Sequence, residues 1–150
     1  MVFSKKVIVF DLDGTLNQTE IYALKAYHQK QTIGYIIQVV DHDGFGGDIA
    51  LIVGINLQKE ITGVEILSID ETVGLGMNAK NEEFRNQYVG KKVDHFQVVK
   101  NGKQNEDEVD SLSGATITSK AMTNGINGAL DFYDLLKGRW KYEEVFKTFI

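Results

Sequence analysis

Three runs rich in isoleucine and valine, separated by very short links, constrain the fold of this chain more than any other feature. The runs cover Ile33–Val40, Asp48–Ile55 and Ile61–Ile69, and each is typical of a β-strand. The links between them are a glycine-rich segment, 43–47, and a polar segment, 56–60. A parallel crossover needs about a dozen residues or more, so strands joined by such links pair antiparallel. The sequence therefore predicts an antiparallel meander.

Two stretches have the spacing of an amphipathic helix. One covers Thr19–Lys30, with Thr19 as its candidate N-cap. The other is the longest predicted helix, which begins at Ser119 and ends at Gly138, a natural C-terminal stop. The remaining expected elements are strands at Lys6–Phe10 and Val93–Val99, a short helix capped by Asn81, glycine-bearing and polar loops over Glu71–Ala79 and Asn101–Asp110, and a helical stretch over Trp140–Ile150.

Composition sets the class of protein and excludes several functions. A chain of 150 residues with a net charge of -5 has the length of one domain, so we expect a single α+β domain with helices packed on the meander. The absence of cysteine excludes disulfides and iron–sulfur clusters, and three scattered histidines argue against a histidine-rich metal site. The acidic balance predicts no nucleic-acid partner. No run approaches the ~18 apolar residues of a spanning helix, so the chain as given is expected to be soluble.

A run of hydroxyl residues precedes the longest helix. From Asp110 to Ser119 it reads DSLSGATITS. Helix N-termini offer free N–H donors and a positive dipole end, and glycine allows the backbone to approach an anion, so the run has the outline of a phosphate cradle. Ordinary helix capping by Thr118 or Ser119 accounts equally well for the same residues. The residue types alone leave both interpretations open.

The same run resembles the flavin-attachment motif of FMN-binding domains in the small flavoprotein subunits of Rnf-type and Nqr-type electron-transport complexes. In that family a separate flavin transferase joins FMN through its phosphate to the last threonine of the motif. The resemblance implies covalent FMN on Thr116, with Thr118 as the alternative attachment point. It also implies that the transferase recognises the residues around Thr116, namely Asp110, Ser113, Gly114 and Ala115.

A second loop carries the resemblance further. The segment from Glu71 to Gly76 reads ETVGLG and is similar to the family's ETPGLG, with valine at position 73 in place of proline. Two glycines around one leucine let the backbone lie flat against a planar ring while the apolar side chain covers it. We therefore expect cofactor-binding roles for the loop and for the aromatic residue of the earlier glycine-rich link: Glu71, Thr72, Gly74, Leu75, Gly76 and Phe45. An ordinary glycine turn is the alternative for the loop, and a core or turn aromatic explains Phe45 equally well.

The resemblance covers most of the chain, from about Tyr22 to Leu136, and implies a biological setting. Its partners would be the other subunits of an electron-transport complex and the flavin transferase that matures it. Family members are commonly anchored on the extracytoplasmic side of a membrane, so the resemblance implies membrane association there through an anchor or partner subunits that this sequence lacks.

The first twenty residues resemble a different family. From Val7 to Glu20 the chain reads VIVFDLDGTLNQTE, which is similar to the first motif of haloacid-dehalogenase-type phosphatases. That resemblance would make Asp11 the nucleophile and Asp13 the acid and base of a magnesium-dependent phosphohydrolase. The other parts of such an enzyme are missing from the sequence, and a capped turn without metal explains the two aspartates as well. We expect a phosphatase-like segment over 1–20, fused to an FMN-binding domain over 21–138, with a C-terminal extension over 139–150.

Three functions follow in order of support. The first is an FMN-carrying electron-transfer domain of a membrane redox complex, which needs no catalytic residue of its own because the cofactor does the chemistry. The second is the phosphohydrolase that uses Asp11 and Asp13. The third is a binding module that holds free FMN or another phosphate ligand without electron transfer.

Overall fold

A five-stranded antiparallel sheet forms the body of the protein in the computed structural model, which describes residues 2–6, 19–42 and 44–139. The strands follow one another in chain order, so each pairs with the next. Their bounds are β1 Val2–Lys6, β2 Thr19–His28, β3 Gln31–Asp41, β4 Ile49–Asn56 and β5 Ile61–Ile69. The predicted meander and its three central strands are confirmed.

The second half of the described chain is mostly helical. A short 3₁₀ helix, Gly76–Lys80, leads into α1, Glu82–Arg85. Two three-residue strands follow, β6 Gln97–Val99 and β7 Glu108–Asp110, and they pair parallel. The long helix α2, Thr116–Asp134, continues as a π-helical turn, Leu135–Arg139. The α+β class is therefore confirmed.

The helix predicted over Thr19–Lys30 is wrong, because this segment forms β2. Ten residues of β2 pair with β3, with a bulge between Ala26 and Tyr27. The turn that joins the two strands is unusual in its residue types, since Gln29 and Lys30 adopt φ values of 49° and 65°. A two-residue hairpin of type I′ has positive φ at both positions and normally uses asparagine or glycine there. The usual sequence signal of the hairpin is thus missing.

Several smaller expectations also need correction. The strand expected over Val93–Val99 is limited to β6, and the expected loop over Asn101–Asp110 ends in β7. The long helix begins at Thr116, three residues before Ser119, and it continues through Gly138 to Arg139. Part of the expected Glu71–Ala79 loop is the 3₁₀ helix. The predictions for Val7–Phe10, Asp11, Asp13 and Trp140–Ile150 lie outside the described residues.

One face of the sheet packs against α2 and forms the core. Burial alternates along β4, so that Ile49, Leu51, Val53 and Ile55 are buried while their neighbours are partly exposed. The helix approaches closely at Gly125, where an added Cβ would lie 3.4 Å from both Leu51 Cδ2 and Val39 Cγ1. This contact places the N-terminal half of α2 over the end of the sheet where β3 ends and β4 begins.

The α1 region is held against α2 by a buried polar contact. Tyr88 is fully buried, and its hydroxyl lies 2.7 Å from Thr123 Oγ1, which in turn donates to the Ser119 carbonyl. Burial raises the pKa of Tyr88, and the hydrogen bond to Thr123 offsets only part of the effect. The Tyr88 phenol is therefore a neutral structural group that fixes α1 to the middle of α2.

Replacing Ile126 with alanine should destabilise the fold by about 2–5 kcal/mol, because the side chain is fully buried and its loss leaves a cavity between α2 and the sheet. Urea unfolding followed by circular dichroism measures the effect. Leu67→Ala is the matched control, since Leu67 lies on β5 with 53% exposure and should change stability little. Equal effects of both changes would contradict this description of the core.

Candidate functional site

Three segments converge on a cleft at one end of the sheet. Residues Asp41 and Ile49 pair across β3 and β4, and Ile49 pairs with Ile69 at the end of β5, so the links after β3 and β5 leave the sheet together. The N-terminus of α2 lies above them. The cleft has a volume of about 400 Å³, within the range of small-molecule sites. Its lining consists of Phe45, Glu71, Thr72, Leu75, Gly76, Gly114, Ala115, Thr116, Ile117 and Thr118.

Thr116 combines a hydroxyl group with the positive end of a long helix. It is the first residue of α2 and half-buried, and its Oγ1 accepts a hydrogen bond from Ser111 Oγ at 3.3 Å. The N-cap residue is Ala115, whose side chain cannot cap the helix. Amide groups in the first turn of a helix have no intrahelical acceptor and attract negative charge. An anionic group bonded to Thr116 would therefore lie where the cap is missing.

The two hydroxyl residues that follow do not cap the helix, so the capping alternative is wrong in that form. Thr118 and Ser119 both lie inside α2 and are buried. Ser119 Oγ donates to the Ala115 carbonyl at 2.8 Å and accepts from the Leu112 amide at 2.9 Å. Ser119 thus ties the preceding loop to the first turn of α2, and Thr116 keeps its place at the cleft.

Leu75 and Gly114 bring the two predicted loops into contact. Gly114 has φ +71°, and a Cβ added there would lie 3.0 Å from Leu75 Cδ2. The Leu75 amide donates to the Thr72 carbonyl at 3.1 Å, which closes the turn, and Asn78 Nδ2 donates to the Gly74 carbonyl at 3.0 Å. These bonds fix the loop although it has valine where the family pattern has proline.

The interior of the cleft is packed closely around Gly76. An added Cβ at Gly76 would lie 2.7 Å from Thr118 Oγ1 and 2.8 Å from Glu71 Cβ. Glu71 is 9% exposed, and its Oε2 accepts a hydrogen bond from the Gly46 amide at 2.9 Å. Among the described residues its Oε1 has no hydrogen-bond partner. Only a glycine at position 76 leaves room for both side chains.

The rim of the cleft is apolar and exposed. Phe45 is 69% exposed, Ile117 53% and Leu75 41%. Exposed large apolar side chains grouped around a concavity commonly mark a binding site. Together with the free amides at Thr116, this rim fits a ligand that combines a planar ring system with a phosphate, as FMN does.

The structure brings together most of the residues that the sequence singles out. Three of them lie elsewhere: Asp110 and Ser113 line a neighbouring polar depression of about 620 Å³, and Gly74 lies at the turn of its loop with φ +80°. Asp110 is held there by the Lys103 amide, which donates to its Oδ1 at 2.6 Å. Ile117 also lines the cleft, although the sequence motifs do not single it out. The sequence signal for Ile117 is an apolar residue between two threonines at the start of a helix. Its side chain points outward because that of the neighbouring Thr118 points inward.

Two further features concern the described part of the chain as a whole. Within it, no group of three or more histidine, aspartate or glutamate side chains is arranged to hold a metal ion. None of the helices in the described residues, which all lie within 76–139, is both long and apolar enough to cross a lipid bilayer.

The chain is similar to known proteins over most of its length. A family model described as the FMN-binding domain matches residues 44–131, more than half of the chain. A subunit of the proton-translocating ferredoxin:NAD(+) oxidoreductase complex of Clostridium ljungdahlii is 40% identical over 101 residues, which are 67% of this chain and 54% of the relative. A subunit of the Na(+)-translocating ferredoxin:NAD(+) oxidoreductase complex of Acetobacterium woodii is 33% identical over 119 residues, 78% of this chain and 56% of the relative. The chain thus spans little more than half the length of these two relatives.

A solved structure supports the fold. The crystal structure of Shewanella oneidensis NqrC matches with a TM-score of 0.65 and 18% identity, covering 85% of this chain and 59% of that one. The matched family region contains the convergent loops and the start of α2. Because this family model covers more than half of the chain, the chain belongs to the FMN-binding domain family.

Proposed function

We propose that this chain is an FMN-carrying electron-transfer domain whose flavin is joined through its phosphate to the Thr116 hydroxyl. The observation that carries the proposal is the position of Thr116, at the uncapped N-terminus of a 19-residue helix and on the wall of an apolar cleft. A phosphodiester there would bring one negative charge to the helix amides. Such an arrangement is typical of phosphate binding.

Thr118 is a poorer candidate for the attachment. Its side chain is 1% exposed, and its Oγ1 lies under Gly76. A transferase needs access to the hydroxyl that it modifies, and Thr116 is half-buried on the cleft wall. This difference in burial favours Thr116 over the second threonine of the run.

The protein's part in electron transfer would be to hold and shield the cofactor. The cofactor, when bound, supplies reversible electron uptake and release. Thr116 and the first amides of α2 would anchor the phosphate, while Leu75, Ile117 and Phe45 would cover the ring and limit water around it. No residue of the chain has to act as a general acid or base under this proposal.

The names of the relatives support a proposal about the partners, and the family resemblance supports one about the location. Those relatives are subunits of ion-translocating oxidoreductase complexes, so we propose that this chain passes electrons within such a complex and that a flavin transferase matures it. We also propose membrane association on the extracytoplasmic side, through the partner subunits. The division into segment 1–20, FMN-binding domain 21–138 and extension 139–150 remains part of the same proposal.

The flavin should stay with the chain after unfolding. We expect a full-length chain coexpressed with a flavin transferase to remain yellow in guanidinium and to carry the mass of one FMN, because an ester bond survives the loss of the cleft. Absorption spectroscopy and mass spectrometry of the unfolded protein measure this. Expression without the transferase is the control and should give colourless protein.

Release of the flavin on unfolding would contradict the covalent attachment and favour a module that binds free FMN. Absence of flavin in both preparations, with the protein folded, would contradict the proposed function itself.

A further inference from the structure

We propose that Glu71 is a positioning residue whose carboxylate fixes the Gly44–Gly47 loop and thereby holds the Phe45 ring against the flavin. The inference rests on the proposed function for the identity of the ligand. It assigns to Glu71 a structural task at the cleft, distinct from direct contact with the cofactor.

The first step is the contact between Glu71 and the loop. Glu71 follows β5, and its Oε2 accepts the Gly46 amide at 2.9 Å across 25 residues of sequence. Burial at 9% exposure keeps water from competing for this hydrogen bond and strengthens it. The bond therefore joins the link after β3 to the link after β5.

The second step is that glycine is required on both sides of the Glu71 side chain. An added Cβ at Gly44 would lie 2.7 Å from Glu71 Oε1, and one at Gly46 would lie 2.1 Å from the Asp70 carbonyl. On the other side, the Cβ of a residue at position 76 would meet Glu71 Cβ at 2.8 Å. The Glu71 side chain thus lies between the glycines of two loops, at positions where an added Cβ would be too close to its neighbours.

Phe45 depends on the Gly44–Gly47 loop for its position. It lies between Gly44 and Gly46, lines the cleft and is 69% exposed, so few contacts of its own side chain hold it. Its ring can have a fixed position only if its backbone does. The Glu71 bond at Gly46, one residue away, supplies that restraint.

A second restraint acts at the base of the same loop. His42 Nδ1 lies 2.7 Å from Asp48 Oδ1, and Asp48 is 59% exposed in its side chain. This contact closes the loop where it leaves the sheet but does not reach Gly46. It therefore offers a matched control for the effect of Glu71.

The test places a tryptophan at position 45 in the full chain, with Trp140→Phe to remove the sequence's other tryptophan. In flavin-free protein, time-resolved anisotropy of the new indole reports how firmly the loop is held. Adding Glu71→Ala should shift the equilibrium between the held and the freely moving loop about tenfold toward free motion, because one buried hydrogen bond is lost. Adding Glu71→Gln should restore most of the order, since an amide oxygen can still accept the Gly46 N–H.

In flavin-loaded protein the same indole should quench flavin fluorescence by electron transfer on contact. We expect strong quenching in Phe45→Trp, loss of that quenching when Glu71→Ala is added, and its return with Glu71→Gln. Adding Asp48→Ala instead should leave both the anisotropy and the quenching nearly unchanged.

An anisotropy that does not respond to Glu71→Ala overturns the proposal whether or not flavin is present. So does an equal loss of order with Asp48→Ala, or a Phe45→Trp protein that carries flavin without quenching. Circular dichroism of each variant separates loss of the loop restraint from loss of the fold. Failure of the proposed function gives a different result, because the unmutated chain would then carry no flavin. The anisotropy measurement on flavin-free protein would still test the role of Glu71.

Discussion

Thr116→Ala is expected to abolish covalent flavin completely while leaving the fold intact. The change removes the hydroxyl that would form the phosphoester, and alanine is well tolerated at the first turn of a helix. Thr116 is half-buried and contributes to no part of the core, so we expect stability to change by no more than about 0.5 kcal/mol. Mass spectrometry of chain coexpressed with a transferase measures the flavin, and urea unfolding measures the stability.

Two matched variants make this result specific. Thr116→Ser keeps a hydroxyl at the same place and should retain flavin. Thr118→Val removes the neighbouring hydroxyl from a buried position without changing its shape, and it should also retain flavin. Flavin mass that persists in Thr116→Ala but disappears in Thr118→Val would move the attachment point to Thr118.

The central strands could be predicted because their signals are local. Branched apolar residues and short links lie within β3, β4 and β5, and no distant contact is needed to see them. The second strand could not be predicted in the same way. Its pairing depends on a hairpin in which Gln29 and Lys30 take positive φ, and it is the long pairing with β3 that stabilises this costly turn. Local residue types therefore favoured a helix that tertiary pairing excludes.

The residues of the site also differ in whether local motifs or distant contacts reveal them. The hydroxyl run and the glycine loop are contiguous motifs, so the sequence predicts that both contribute to the site, although it does not single out Ile117. The roles of the individual residues within the site could not be predicted in this way. The sequence makes Ser119 a candidate helix cap, but its Oγ accepts a hydrogen bond from the Leu112 amide. This contact depends on the path of the preceding loop. The bond from Gly46 to Glu71 likewise joins two loops that only the sheet brings together.

Gly76→Val is expected to have the second-largest effect, a loss of most bound flavin together with a destabilisation of about 1–3 kcal/mol from overpacking. The added Cβ alone would lie 2.7 Å from Thr118 Oγ1 and 2.8 Å from Glu71 Cβ, and neither can retreat because both are buried. The valine must therefore displace the 3₁₀ helix or extend into the cleft. Flavin content per chain and urea unfolding measure the two effects.

Gly63→Val is the control for this prediction, because no atom lies within 4 Å of its added Cβ and β5 accepts a branched residue. Flavin content should therefore not change in Gly63→Val. Normal flavin content and an unchanged flavin potential in Gly76→Val would show that the loop from Glu71 to Gly76 does not form the wall of the flavin site. Loss of flavin in Gly76→Val but not in Gly63→Val would instead support a requirement of the flavin site for glycine at position 76, where an added Cβ would meet Thr118 and Glu71.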